Sequence, residues 1–405
     1  MSTLKKLVIL LPLIAIIITG FFLKPKLKAP TDPYIAFFTE TFNLIQTNYW
    51  DKLDDPALID LYLKSARAVT KNPQLVKAEN KQDLFTQLKS VTNDLETAAT
   101  IVDTVLANLP PTNKSRLYSQ KQVTDLGNTV ANINPEVNHY SELNLPQDAS
   151  AEAITESYET QVATATAEEK PKLDLAYQAL KDTTTREIYD TVGADPTMPH
   201  RLITPQIYYI AINKFSPTTI QELTAAATAS DQYPQLNTLI LDLRNNIGGA
   251  IDGLVYFLAP FIGPNQYAYQ FFQQEKYQDF KTKGDWLPGL IKFKKVVVLI
   301  NENAQSSAEV MAATLKKYHV GVLIGTTTRG WGTVESVYPL ENQLSQDQTL
   351  SVFLVHHLTL REDNQPIEGR GVDPDIFITN PNWRQQLLNY YNFPELVTAV
   401  ANLTP

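Results

Sequence analysis

Apolar and polar positions follow two different rhythms in this chain. From Tyr34 to Thr70 the apolar residues recur at helical spacing, with Phe37, Phe38, Phe42, Leu44 and Ile45 forming one stripe. Asp54-Asp55-Pro56 opens a second helix, continued by Leu58, Leu61 and Leu63. Residues 81–130 keep that rhythm (Leu84, Leu88, Val91, Leu95, Ile101, Val105) with a break at Pro110-Pro111, so helices are expected throughout. From Ile203 the rhythm changes. Apolar-rich runs at Ile207–Ile212, Leu236–Leu243, Val296–Ile300 and Gly321–Gly325 read as buried strands. Helical stretches separate them at 218–229, at 250–261 and from Ser306 onward, and buried strands alternating with helices predict an α/β core. Gln266 to Asp279 is rich in aromatic residues and reads as strands beside a groove, and a further strand lies within Leu350–Ile378.

Composition narrows the chemistry. The 405 residues are 43% hydrophobic and 19% charged, which suits two or three globular domains. A net charge of −9 argues against non-specific nucleic-acid binding. With no cysteine there is no disulfide, thiolate nucleophile or cysteine-held zinc, and the five histidines form no metal motif. Neither a metal nor a cofactor is expected. Residues 7–23 are uncharged and apolar between Lys5-Lys6 and Lys24, Lys26 and Lys28, near the lower limit for a membrane-spanning helix and without a small-x-small cleavage site. They read as an uncleaved anchor, so 1–30 is the anchor and its linker, 31–130 a helical region and 131–200 a separate module. The core is 201–405.

Several ordered motifs then resemble one family, the C-terminal processing (tail-specific) serine peptidases. Leu241-Asp242-Leu243-Arg244-Asn245-Asn246-Ile247-Gly248-Gly249 is similar to that family's D-L-R-N-N-P-G-G, with Ile247 for proline. Ser306-Ser307-Ala308-Glu309 resembles its S-A-S-E helix start, and Ile367, Gly369, Gly371, Val372, Pro374 and Asp375 match its closing segment. The resemblance implies a crotonase-like core of the ClpP and tail-specific protease type, a polypeptide substrate or protein C-terminus as partner, and a body outside the cytoplasmic membrane. It also places the nucleophile on Ser306, the lysine base on Trp331, the glutamine that orients this lysine on Glu335, and backbone oxyanion donors on Gly248/Gly249 and Ser307. Where relatives carry D-P-H in the helical region, this chain has Asn72-Pro73-Gln74. His139 to Asp195 resembles a three-helix J-domain in Tyr140, Leu143, Pro146, Tyr158, Leu173, Tyr177, Arg186 and Tyr189-Asp190. It lacks the His-Pro-Asp tripeptide, so activation of a chaperone ATPase is not expected.

The resemblance meets a chemical obstacle. A serine needs a base at neutral pH, and an indole has only an N–H to donate. Arg329 stays protonated and is no substitute. His319 stands thirteen residues from Ser306 along the helix, on the order of 20 Å away. Glu335 shares a strand face with Trp331 and residue 333 and could act as a base if desolvated; a solvated or arginine-paired glutamate is the expected state. Ser306 to Glu309 also spells a capping box, which needs no catalysis to explain it. Gly248-Gly249 is by itself a tight turn, and Asp242 with Arg244 a pair that shapes it. Two functions follow: a serine endopeptidase with an altered base, or a pseudopeptidase that binds chain ends without cutting them.

Overall fold

The computed structural model describes residues 32–73 and 75–404. The expected anchor at 7–23 and Gln74, the residue aligned with a histidine base, lie outside the described residues. No helix among those described is long and apolar enough to cross a membrane.

The strands, in chain order, are β1 (Arg116–Ser119), β2 (His200–Thr204), β3 (Ile207–Ala211), β4 (Thr238–Asp242), β5 (Tyr267–Gln273) and β6 (Lys276–Lys281). They continue with β7 (Lys295–Ile300), β8 (Val322–Gly325), β9 (Thr333–Pro339), β10 (Leu350–Thr359) and β11 (Ile376–Phe377). One sheet runs β11-β8-β7-β4-β3-β2. Its pairs are parallel except β2 with β3. Every residue of β3, β4 and β8 is buried, and all of β7 but its first, which is why these segments are rich in apolar residues without a polar alternation. Leu223, Leu254, Leu258 and Met311 cover one face, and Trp383, Leu387, Leu396 and Val400 from two C-terminal helices cover the other.

The second sheet is antiparallel and is built on β10, which pairs with β1, β5 and β9, while β6 pairs with β5. The helices Pro33–Asn48, Asp55–Thr70, Lys81–Val91 and Leu95–Asn108 each begin at a side-chain cap: Asp32, Asp54, Asn80 and Asp94. They bury Phe37, Phe38, Phe42, Tyr62, Leu84 and Val105 together with Leu350, Val352 and Leu354 of β10, so the helical region and this sheet share one core. The expectation of helices alone over 81–130 is corrected at β1. Arg116-Leu117-Tyr118-Ser119 is extended because Asp103 holds the Arg116 guanidinium (2.8 and 2.9 Å) and β10 pairs with the backbone.

Residues 139–192 form four helices, His139–Glu142, Ala151–Val162, Lys170–Leu180 and Thr183–Val192, over a small core of Tyr140, Leu143, Ile154, Leu173, Ala176 and Leu180. The chain enters and leaves at one point, where Asp195 N–H donates to Asn132 O (2.8 Å) and Asn132 Nδ2 to Asp195 O (2.9 Å).

Candidate active site

β4 and β7 are parallel neighbours, so the loops leaving their C-terminal ends meet at one edge of the sheet, where open α/β sheets place their ligand crevices. After β4, Asp242 is buried and accepts from Arg244 Nε (2.9 Å) and Nη2 (2.6 Å) and from Tyr209 Oη (2.9 Å). Arg244 Nη1 reaches Leu403 O at 2.5 Å, so the pair shapes and anchors the turn. Buried Asn246 donates to Ile212 O (2.7 Å) and accepts the Gly248 N–H (2.7 Å), and its carbonyl takes the Gln305 N–H (2.9 Å). That last bond ties the turn to the loop carrying Ser306.

Glycine is required here by contact. A Cβ on Gly248 (φ 87°) would stand 2.6 Å from Ser306 Cβ, and one on Gly249 (φ 137°) 2.0 Å from Phe215 O. Gly248 and Ser306 are therefore packed face to face. The Gly248 N–H, one of the expected oxyanion donors, is spent on Asn246 in this structure. Gly249 O accepts from Ser307 Oγ at 3.1 Å.

Ser306 has φ 56° and ψ −125°, outside the extended region that helix N-caps adopt, and strain of this kind clusters at functional sites. The helix Ser307–Lys317 follows directly. Glu309 in its first turn is fully buried, and a capping box accounts for only part of its role. Its carboxylate accepts the Ser306 N–H (2.9 Å), the Thr328 hydroxyl (2.5 Å), the Gly330 N–H (2.7 Å) and the Trp331 N–H (2.8 Å). Burial pushes its pKa up against the pull of these four donors. One oxygen, Oε2, takes both the Ser306 and Trp331 N–H groups, so the two nitrogens lie no farther apart than those two bonds end to end. Residue 331 is thereby seated beside the serine.

Its side chain brings no base. The Trp331 Nε1–H donates to Glu335 Oε1 (3.3 Å), and the Thr333 hydroxyl donates to the same oxygen (2.5 Å). Positions 331, 333 and 335 thus do meet on one face. The expectation of a solvated or arginine-paired Glu335 is corrected: its carboxylate is held by an indole and a hydroxyl, and burial raises its pKa. The reason is non-local, since β9 pairs along β10 and the side chain is partly buried. Two further residues escape a reading of the sequence. Lys114 Nζ stands 4.2 Å from the centre of the Trp331 ring and is paired with both oxygens of Glu368 (2.7 and 2.8 Å); Glu368 also accepts the Gly332 N–H (2.9 Å). Glu368 occupies the variable place in Ile367-x-Gly369, and Lys114 lies in a loop with no motif.

The histidines are elsewhere. His319 follows the far end of the Ser307–Lys317 helix. His356 and His357 pack on each other, and the His357 ring packs on Phe271. Burial lowers their pKa values to about 3 and about 4. Among the described residues, no group of three or more His, Asp or Glu is arranged to hold a metal ion.

Comparison with known proteins bears on the same residues. Residues 206–378 match the model of peptidase family S41. A probable CtpA-like serine protease of Staphylococcus epidermidis is 30% identical over 175 residues, and one of Staphylococcus haemolyticus is 28% identical over 173. The first match takes in 43% of this chain and 34% of the relative, so it spans about a third of that protein's length. Among solved structures, a photosystem II D1 C-terminal processing protease superposes with a TM-score of 0.52 at 15% identity, over 86% of this chain and 94% of that one. That is a likeness of fold.

Proposed function

We propose that this chain, whose residues 206–378 match the model of peptidase family S41, is a homologue of the C-terminal processing proteases that receives polypeptide ends in a peptidase groove without cutting them. One observation carries the proposal. The carboxylate of Glu309 joins the backbone N–H groups of Ser306 and Trp331, which supports reading position 331 as the place of the family lysine, and the side chain there is an indole. The engaged Gly248 N–H supports the same reading, because an oxyanion donor must be free to meet developing charge. In this reading residues 7–23 anchor the chain, the body lies outside the cytoplasmic membrane, and the helical module at 139–192 is a protein-contact element without chaperone-activating chemistry.

The decisive measurement is labelling of Ser306 by a fluorophosphonate probe, with Ser306→Ala as the blank. Wild type should label slowly or not at all. Trp331→Lys with Glu335→Gln should label faster, short of the ~10²–10⁴-fold that well-placed proton transfer contributes, because the pocket is packed around the indole. In parallel, a fluorescent peptide with a free C-terminus should bind wild type and Ser306→Ala alike. Absence of binding would remove the groove from the proposal.

The raised pKa of Glu335 favours one competing reading, a serine–glutamate peptidase. Strong wild-type labelling that Glu335→Gln alone abolishes would establish it in place of the pseudopeptidase.

A further inference from the structure

Lys114 lies far in sequence from every motif of the site, between the helix Leu95–Asn108 and β1. Yet its ammonium caps the face of the Trp331 indole at 4.2 Å and is clamped by both oxygens of Glu368. The pair is largely shielded, with side-chain exposures of 14% and 18%, so solvent weakens it less than an ordinary surface pair. Glu368 is fixed in turn by the Gly332 N–H, one residue beyond Trp331. Next to Lys114, the Ser115 hydroxyl oxygen accepts the Val355 N–H of β10 (3.1 Å), which pins the loop to the sheet.

Trp331 is thus held through its backbone by Glu309, at its indole edge by Glu335 and on its ring face by Lys114, with the Arg329 guanidinium farther off at 5.6 Å from the ring centre. The first two partners belong to the α/β core and its adjoining strand. The third comes from the helical region. We propose that Lys114 and Glu368 form a latch through which the helical region positions Trp331 across the serine site. Lys114 is then a positioning residue, and its ammonium, paired with a carboxylate, does not serve as the missing base. Displacement of the loop at 110–115 withdraws the cation, loosens the indole and opens the ground beside Ser306. The latch rests on the reading of a site whose lysine base has become Trp331, but not on whether Ser306 reacts.

The full-length chain labelled with 15N-tryptophan offers four indole N–H resonances, from Trp50, Trp286, Trp331 and Trp383, of which Trp331→Phe identifies one. In Lys114→Met and in Glu368→Gln, the Trp331 resonance should shift and its N–H should exchange faster with solvent, while the buried Trp383 keeps its position. Lys114→Arg, which retains a cation able to stack on the ring, should restore the wild-type shift. Should Lys114→Met fail to fold, Glu368→Gln reads the same contact with its side-chain shape kept. An unchanged Trp331 resonance in Glu368→Gln overturns the latch. So does a Lys114→Arg spectrum matching that of Lys114→Met. Fluorophosphonate labelling tests the reading of Ser306 independently, so failure of the latch and failure of that reading are distinguishable.

Discussion

At Ser306 a left-handed φ is imposed on a residue with a side chain, and the surroundings show what sustains it. Glu309 holds its N–H from one side, while Gly248 leaves no space on the other. Conformations of this kind cost about 1–3 kcal/mol and survive only where neighbouring contacts over-determine them. Gly249 is the most exacting of those neighbours, because its backbone lies directly against Phe215 O. Gly249→Ala should therefore lower stability by about 2–4 kcal/mol, from overpacking and φ strain together. Urea denaturation followed by circular dichroism measures this, and a loss under about 1 kcal/mol would mean that the turn relaxes freely.

Among the elements, β10 has the widest reach. It pairs with β1, β5 and β9, and it lines the core of the helical region. Its register shifts between Val355 and His357, where the two adjacent histidines sit. Both have folded pKa values below the ordinary 6.5, at about 3 and about 4, chiefly because burial penalises the charged ring. The unfolded chain binds these protons first. The histidines' contribution to stability is therefore complete above about pH 6.5 and is lost as pH falls toward 4 and then 3. A folded pKa one pH unit below the unfolded one is worth roughly 1.4 kcal/mol at full effect, an upper bound for rings that solvent partly reaches. His356→Gln should flatten the fall in urea midpoint between pH 6.5 and pH 4. A slope equal to that of wild type would place the acid sensitivity elsewhere.

For the whole molecule, the packing of the helical region on β10 has a consequence for the N-terminus. The first described helix begins at Pro33 with its own cap and buries Phe37 and Phe38 within that core, and in the proposed reading residues 1–30 serve as the anchor and its linker. Their deletion should leave a folded protein that remains in the supernatant after high-speed centrifugation, while the full-length chain sediments with membranes. Sedimentation of both forms would refute the anchor.

The sequence by itself determined the alternation of buried strands and helices over residues 207–325, because a strand buried on both faces or a one-faced helix leaves a trace in its own residues. It also marked Ser306, Gly248, Gly249, Trp331 and Glu335 as positions of interest, through motifs short enough to be read locally. Tertiary structure alone decided how those positions meet. Glu309 could be read as a cap, but its bonds to residues 328, 330 and 331 depend on a loop about twenty residues away folding back over the helix. Glu335 could be read as solvated because nothing beside it in sequence announces β10. β1 and Lys114 left no trace at all: a four-residue strand is too short to show a period, and a lysine's partner 254 residues away has no local signature. Periodicity records that a residue is buried, whereas the identity of what buries it is a property of the folded chain.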